Sequence, residues 1–172
     1  PSMEGTDGAI VILDFGGQYA HLIGSRIRRF GHKSIIMPSE TPAKHLKNAA
    51  GIILSGGPQS VYDKDSPTAD KKIFDLGIPI LGLCYGHQWL AHALGGKVES
   101  AKVKEYGSTQ IEVVDAAAPL LKKCGKTFTA WMSHGDEVTE LPDGFTLSAS
   151  SKDCRISAMT NLEKQIFGIQ FH

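Results

Sequence analysis

The chain has 172 residues, 41% of them hydrophobic, and a formal net charge of zero, which suits one globular domain with a real core. The charge balance gives no pull toward nucleic acid or an anionic membrane surface, and no apolar run approaches the length of a membrane span. Three scattered cysteines, Cys84, Cys124 and Cys154, are too few for a disulfide framework and point to a reducing compartment.

Residues 1–8 are polar, unlike a signal peptide, and are expected to be a disordered lead or a cloning remnant. Ala9–Leu13 is a continuous apolar run ending at Asp14, the form of a strand covered on both faces. Tyr19–Phe30 reads as a helix, with Leu22, Ile23, Ile27 and Phe30 at helical spacing and Gly31 as its cap. Ser34–Met37 and Gly51–Leu54 are further strands, and Thr41-Pro42 opens a short helix. Residues 55–66 form a Gly-, Pro- and Ser-rich loop, and Thr68–Leu76 is another helix, closed by Gly77. Ile78–Leu81 is the fourth strand. The alternation predicts an α/β fold with a parallel sheet and helices on both faces. After Gly95-Gly96, six short segments (97–99, 110–114, 127–131, 146–150, 156–159 and 165–171) read as strands that extend it into a mixed sheet. No linker divides the chain.

The fourth strand runs into Gly82-Leu83-Cys84-Tyr85-Gly86-His87-Gln88 and then an apolar helix. Cysteine flanked at two residues by glycines, between strand and helix, is the sequence form of a nucleophile elbow. A thiol at a helix N-terminus is expected to have a lowered pKa and to be available as thiolate. Ligands in open α/β sheets bind beyond the carboxyl ends of the strands. Two such ends besides the elbow carry unusual sequences, Asp14–Gln18 and Ser55-Gly56-Gly57-Pro58. The second could be only a turn, and no Gly-Lys-Ser/Thr follows to make it a phosphate loop. Beside a cysteine elbow, the amide of Gly57 and that of Tyr85 would pair as oxyanion donors, with Gly56 leaving room for a carbonyl.

A thiol nucleophile needs a base. Of seven histidines, His21, His32 and His45 lie on polar or helical surfaces, His87 points into a helix flank and His92 lies on a helix face. A Cys84–His87 metal pair has no further ligands at suitable spacing. His134, in an expected polar loop, and His172, at a strand's carboxyl end, both remain candidate partners of Cys84.

Gly82–Gln88, Leu54–Pro58 and Gly168–His172 resemble a class I (triad-type) glutamine amidotransferase domain. Asp14–Tyr19, Lys104–Gly107 and Met132–Asp136 are similar to the GMP-forming branch of that family. The resemblance runs from about Ile10 to His172. It implies a three-layer, flavodoxin-like fold and hydrolysis of glutamine to glutamate and ammonia. Cys84 would form a glutamyl thioester and His172 would take and return the proton. Gly57 and Tyr85 would form the oxyanion hole, while Gly56, Gln88, Ser133, His134, Gly135 and Asp136 would bind substrate. This domain would need no cofactor or metal. Its implied partner is an ATP-pyrophosphatase (synthetase) domain or subunit, using ATP and Mg to aminate XMP, in a cytoplasmic enzyme that is a homodimer.

The family continues after this histidine with Pro-Glu, and that glutamate orients the imidazole. The sequence ends at His172, so residues 9–172 are expected to be a single amidotransferase domain cut short, without synthetase and dimerisation domains. Loss of an orienting carboxylate in a related triad costs about 10⁴ in turnover. Two alternatives stand beside this reading: an amidotransferase serving anthranilate, aminodeoxychorismate or CTP synthesis, and a non-catalytic domain of the same fold. Cys84 is expected to alkylate faster than Cys124 or Cys154.

Overall fold

The computed structural model describes residues 4–57 and 60–172. Pro58, the end of the expected Ser55–Pro58 turn, lies outside them, as do residues 1–3 of the expected lead. Glu4–Thr6 forms a 3₁₀ turn, Thr6 is buried, and the Gly8 amide donates to the Asn48 carbonyl.

One nine-stranded sheet carries the fold, in the order β2-β1-β3-β4-β9-β8-β7-β5-β6. Strands β1 (Ile10–Asp14), β2 (Ser34–Pro38), β3 (Gly51–Leu54), β4 (Ile80–Leu83) and β9 (Ile166–Ile169) pair in parallel. Strands β5 (Lys97–Val113), β6 (Thr127–Glu140), β7 (Thr146–Ser151) and β8 (Cys154–Asn161) make the antiparallel half. Val11, Ile12 and Leu13 are fully buried, so the first strand shows no alternation because neither face meets water. Helix α1 (Ala20–Arg29) packs on β1 and β2, and α2 (Tyr85–Ala93) lies against β4 and β9. Among the described residues, no helix is long and apolar enough to cross a membrane.

α1 departs from its sequence reading in orientation. Its buried residues are Ala20 and Gly24, while Leu22 is 48% and Phe30 80% exposed. A Cβ on Gly24 would already touch Ile12 and Ser34, so the helix sits close to the sheet on its small residues and turns the larger ones away. Its end follows expectation. Gly31 has φ +88°, its amide donates to the Arg28 carbonyl, and the His32 amide to that of Ile27, a Schellman cap.

The helices expected after Thr41-Pro42 and over 68–76 are only 3₁₀ turns, Ala43–His45 and Lys71–Asp75. One side chain caps both: Asp70 accepts the Ala43 amide at 2.9 Å and the Lys72 amide at 3.0 Å. These bonds hold its carboxyl below the ordinary aspartate value. In the second half, the expected strands 97–99 and 110–114 fuse into β5, and 127–131 lengthens into β6, its hairpin partner. The hairpin's register shifts between Ser100 and Glu105. His134, expected in a loop, is therefore buried within β6.

Two buried clusters fill the fold. The larger, under α2, includes Leu13, Phe15, Leu54, Ile80, Tyr85, Trp89 and Leu90. The smaller, in the antiparallel half, gathers Ile111, Met132, Ala158 and Phe171.

Candidate active site

Cys84 stands between β4 and α2 with φ +54° and ψ −108°, a conformation that side-chain-bearing residues adopt at a cost of about 1–3 kcal/mol. The two flanking glycines explain how so tight a turn fits. A Cβ on Gly82 would lie 2.6 Å from the Gly86 carbonyl oxygen, and one on Gly86 would lie 2.3 Å from that of Leu54. Beneath the turn, Phe15 packs against Tyr85 and Trp89, and the Tyr85 hydroxyl donates to the Pro67 carbonyl at 2.7 Å.

The glycine loops beside the elbow touch backbone to backbone. A Cβ on Gly17 would meet the Gly56 carbonyl oxygen at 2.2 Å, and one on Gly57 the Phe15 carbonyl oxygen at 2.6 Å. Ser55 fastens them, its hydroxyl accepting the Phe15 amide at 3.1 Å. Gly56 lies against the Cys84 side chain. The Tyr85 amide belongs to the first turn of α2, where N–H groups have no intrahelical acceptor.

Of the two candidate bases, the structure brings His172 to the sulfur. Its Nε2 is 3.4 Å and its Nδ1 3.8 Å from Cys84 Sγ. The parallel pairing of β4 with β9 makes this meeting: Leu83 is opposite Ile169, and the Cys84 amide donates to the Ile169 carbonyl at 2.9 Å. The His172 amide donates to the Trp131 carbonyl at 2.9 Å, and its ring meets the edge of Tyr19. Among the described residues, no carboxylate bonds to His172. His134 is engaged elsewhere, with Nδ1 2.8 Å from the Asp136 carbonyl oxygen.

The expected low thiol pKa is not what this environment gives. Burial pushes the Cys84 thiol up to about 12, because desolvation penalises the anion. Burial also moves the His172 imidazole below the ordinary histidine value of 6.5. The resting pair is therefore a neutral thiol beside a neutral imidazole, a donor already facing a base.

Two neighbouring cavities lie at the elbow. One of about 310 Å³ holds Cys84, His172, Gly16, Gly17 and Gly56. The other, of about 340 Å³, is lined by Gln88, Ser133, His134, Gly135 and Asp136, all five anticipated from sequence. Gly57 and Ser133 line both, so the two are neighbours. Gln88 donates through Nε2 to the Asp136 carbonyl at 3.1 Å and to Gln170 Oε1 at 3.0 Å. Ser60, Tyr106 and Gln170 also line this cavity and were missed. A signal existed for Gln170, which stands two residues before His172 and so on the same side of an extended segment.

His87, expected on a helix flank, is fully buried. Its Nε2 lies 3.3 Å from the Ile156 carbonyl oxygen, and a Cβ on Gly168 would strike its Nδ1 at 2.4 Å. Burial drives its pKa down to about 4, so it is a neutral core residue. His21, His32 and His92 are exposed, and His45 is half-buried. Cys154 is buried and Cys124 half-buried, and neither lines the elbow's cavities. Among the described residues, no three His, Cys, Asp or Glu side chains gather as a metal cluster.

A strained cysteine at a strand-to-helix turn, reached by an imidazole from the neighbouring parallel strand, defines a class: α/β proteins with a cysteine nucleophile elbow. The family model for glutamine amidotransferase class-I matches residues 11–172. The chain is 53% identical over 165 residues to the glutamine-hydrolysing GMP synthase of Lactobacillus johnsonii, covering 95% of this chain and 32% of that protein. It is 48% identical to that of Caldicellulosiruptor saccharolyticus, again over 95% of this chain and 32% of the relative. A solved protein of Thermoplasma acidophilum, assigned to GMP synthase as one of its subunits, superposes with a TM-score of 0.83 at 31% identity, covering 95% of this chain and 83% of that one. The chain belongs to the class I glutamine amidotransferase family, in its GMP synthase branch. It spans about a third of the length of the curated relatives it matches.

Proposed function

We propose that this chain hydrolyses glutamine and supplies the ammonia for an ATP-dependent amination of XMP to GMP. The observation that carries the reading is the Cys84–His172 contact of 3.4 Å, in a cavity that shares Gly57 and Ser133 with a polar one. Cys84 Sγ attacks the side-chain carboxamide carbon as its proton passes to His172 Nε2. The oxyanion is held by the amides of Gly57 and Tyr85. The tetrahedral adduct collapses, the C–N bond breaks, and His172 returns the proton to the departing ammonia. Water, deprotonated by the same imidazole, then attacks the thioester carbon; the C–S bond breaks, glutamate is released and the imidazolium returns the proton to the Cys84 thiolate. Gly56, Gln88, Ser133, His134, Gly135 and Asp136 surround the substrate. The partner is an ATP-pyrophosphatase (synthetase) domain on the same or a separate polypeptide, and the reaction belongs to a cytoplasmic, homodimeric enzyme.

A chloroketone analogue of glutamine should alkylate Cys84 far faster than Cys124 or Cys154, and the protein should release ammonia from glutamine. Equal labelling of the three thiols, with no ammonia released, would instead support a non-catalytic domain.

The neutral pair gives this chemistry a pH signature. The base must be unprotonated, and its pKa is lowered, so kcat/KM should hold as pH falls through 6.5 and decline only below it. The free protein should show no thiolate ultraviolet absorbance from Cys84 at neutral pH, judged against Cys84→Ala. A thiolate band at that pH would mean a preformed ion pair.

A further inference from the structure

Gln170 is fully buried, and its side-chain Nε2 has no hydrogen-bond partner in the fold. Buried amide donors are nearly always paired, so an orphan that lines a cavity is a place where something else completes the bond. Gln170 lines the polar cavity beside the nucleophile. Its other amide atom is in use: Oε1 accepts from Gln88 Nε2 at 3.0 Å, while Gln88 also donates to the Asp136 carbonyl. That double donation fixes the flip of the Gln88 amide and leaves its Oε1 as an acceptor.

The spacing fits an amino acid. Cys84 and Gln88 are one helical turn apart, about 5.4 Å along the axis, and the cavity holding Gln88 and Gln170 shares Gly57 and Ser133 with the one holding the sulfur. A side-chain carboxamide at Cys84 therefore puts the α-carbon of its amino acid in the polar cavity. None of the described residues lining that cavity is a lysine or arginine. Gln170 supplies a neutral donor there that is already desolvated.

We propose that Gln170 is a specificity-determining residue with two tasks. Its Oε1 sets the orientation of Gln88, and its Nε2 donates to the α-carboxylate of the bound amino acid, so that substrates with a free carboxylate are preferred. The proposal rests on the glutaminase reading above.

The test compares L-glutamine with L-glutaminamide, whose α-carboxylate is replaced by a neutral amide. Wild-type protein should prefer glutamine. Gln170→Met should lose about 10- to 100-fold in kcat/KM for glutamine, mostly through KM, and much less for glutaminamide, so the preference collapses. Gln170→Glu keeps an oxygen toward Gln88 but sets a charge against the carboxylate, and should penalise glutamine more than its amide. It serves as the second variant should the first fail to fold. Active variants that keep the wild-type preference would overturn the assignment alone. A wild-type protein that turns over neither substrate would overturn the glutaminase reading, and this assignment with it.

Discussion

Cys84→Ala should reduce ammonia release from glutamine by about 10⁴-fold or more, while leaving a folded protein that still binds the amino acid. At the elbow the sulfur is the group that can form the acyl bond, and it is the nucleophile that stands within reach of His172 Nε2. Rapid-quench detection of the acyl-enzyme and a coupled ammonia assay both read this loss. Residual turnover near the wild-type level would place the chemistry elsewhere. A companion variant separates reactivity from conformational strain. Cys84→Gly should be as inactive as the alanine variant but more stable than it by about 1 kcal/mol, since glycine takes φ +54° without penalty. Equal denaturation midpoints for the two would show that the turn is relaxed.

The second large effect belongs to a residue with no chemistry of its own. Gly86→Ala should destabilise the fold by about 3 kcal/mol or more. The new methyl would lie 2.3 Å from a carbonyl oxygen of β3, and also 2.8 Å from the Leu54 side chain. Neither neighbour is the free end of a flexible chain. Relief requires α2 to lift from the sheet, which would open the packing of Tyr85, Trp89 and Leu90 in the larger core. Urea denaturation measures the loss. An alanine variant with wild-type stability would mean that the helix has slack there.

The parallel half was legible because its strands are unbroken apolar runs with turn residues between them, and the elbow because Gly-x-Cys-x-Gly has few other uses. The 3₁₀ turns at 43–45 and 71–75 were over-read as helices. A Thr-Pro pair or a closing glycine marks where a helix can start or end, not whether a neighbour such as Asp70 will satisfy the backbone after a single turn. Met132–Asp136 read as a loop because Gly135 and Asp136 punctuate it, yet the long pairing with β5 carries the strand through. The error on the Cys84 thiol has the same root. Position at a helix N-terminus can be read from sequence, whereas the depth of burial that outweighs it depends on the whole fold. Gln170 was legible only through its place two residues before His172, which sets its side of the extended segment but not the contacts that bury it.

β9 is the last of the nine strands in sequence, yet it lies mid-sheet between β4 and β8. Within the sheet the two flanking halves are joined only through it. Pairings between segments so distant in sequence are slow to form. A polypeptide in which that strand has not docked has no imidazole beside its thiol, so Cys84 gains its base only with the strand in place.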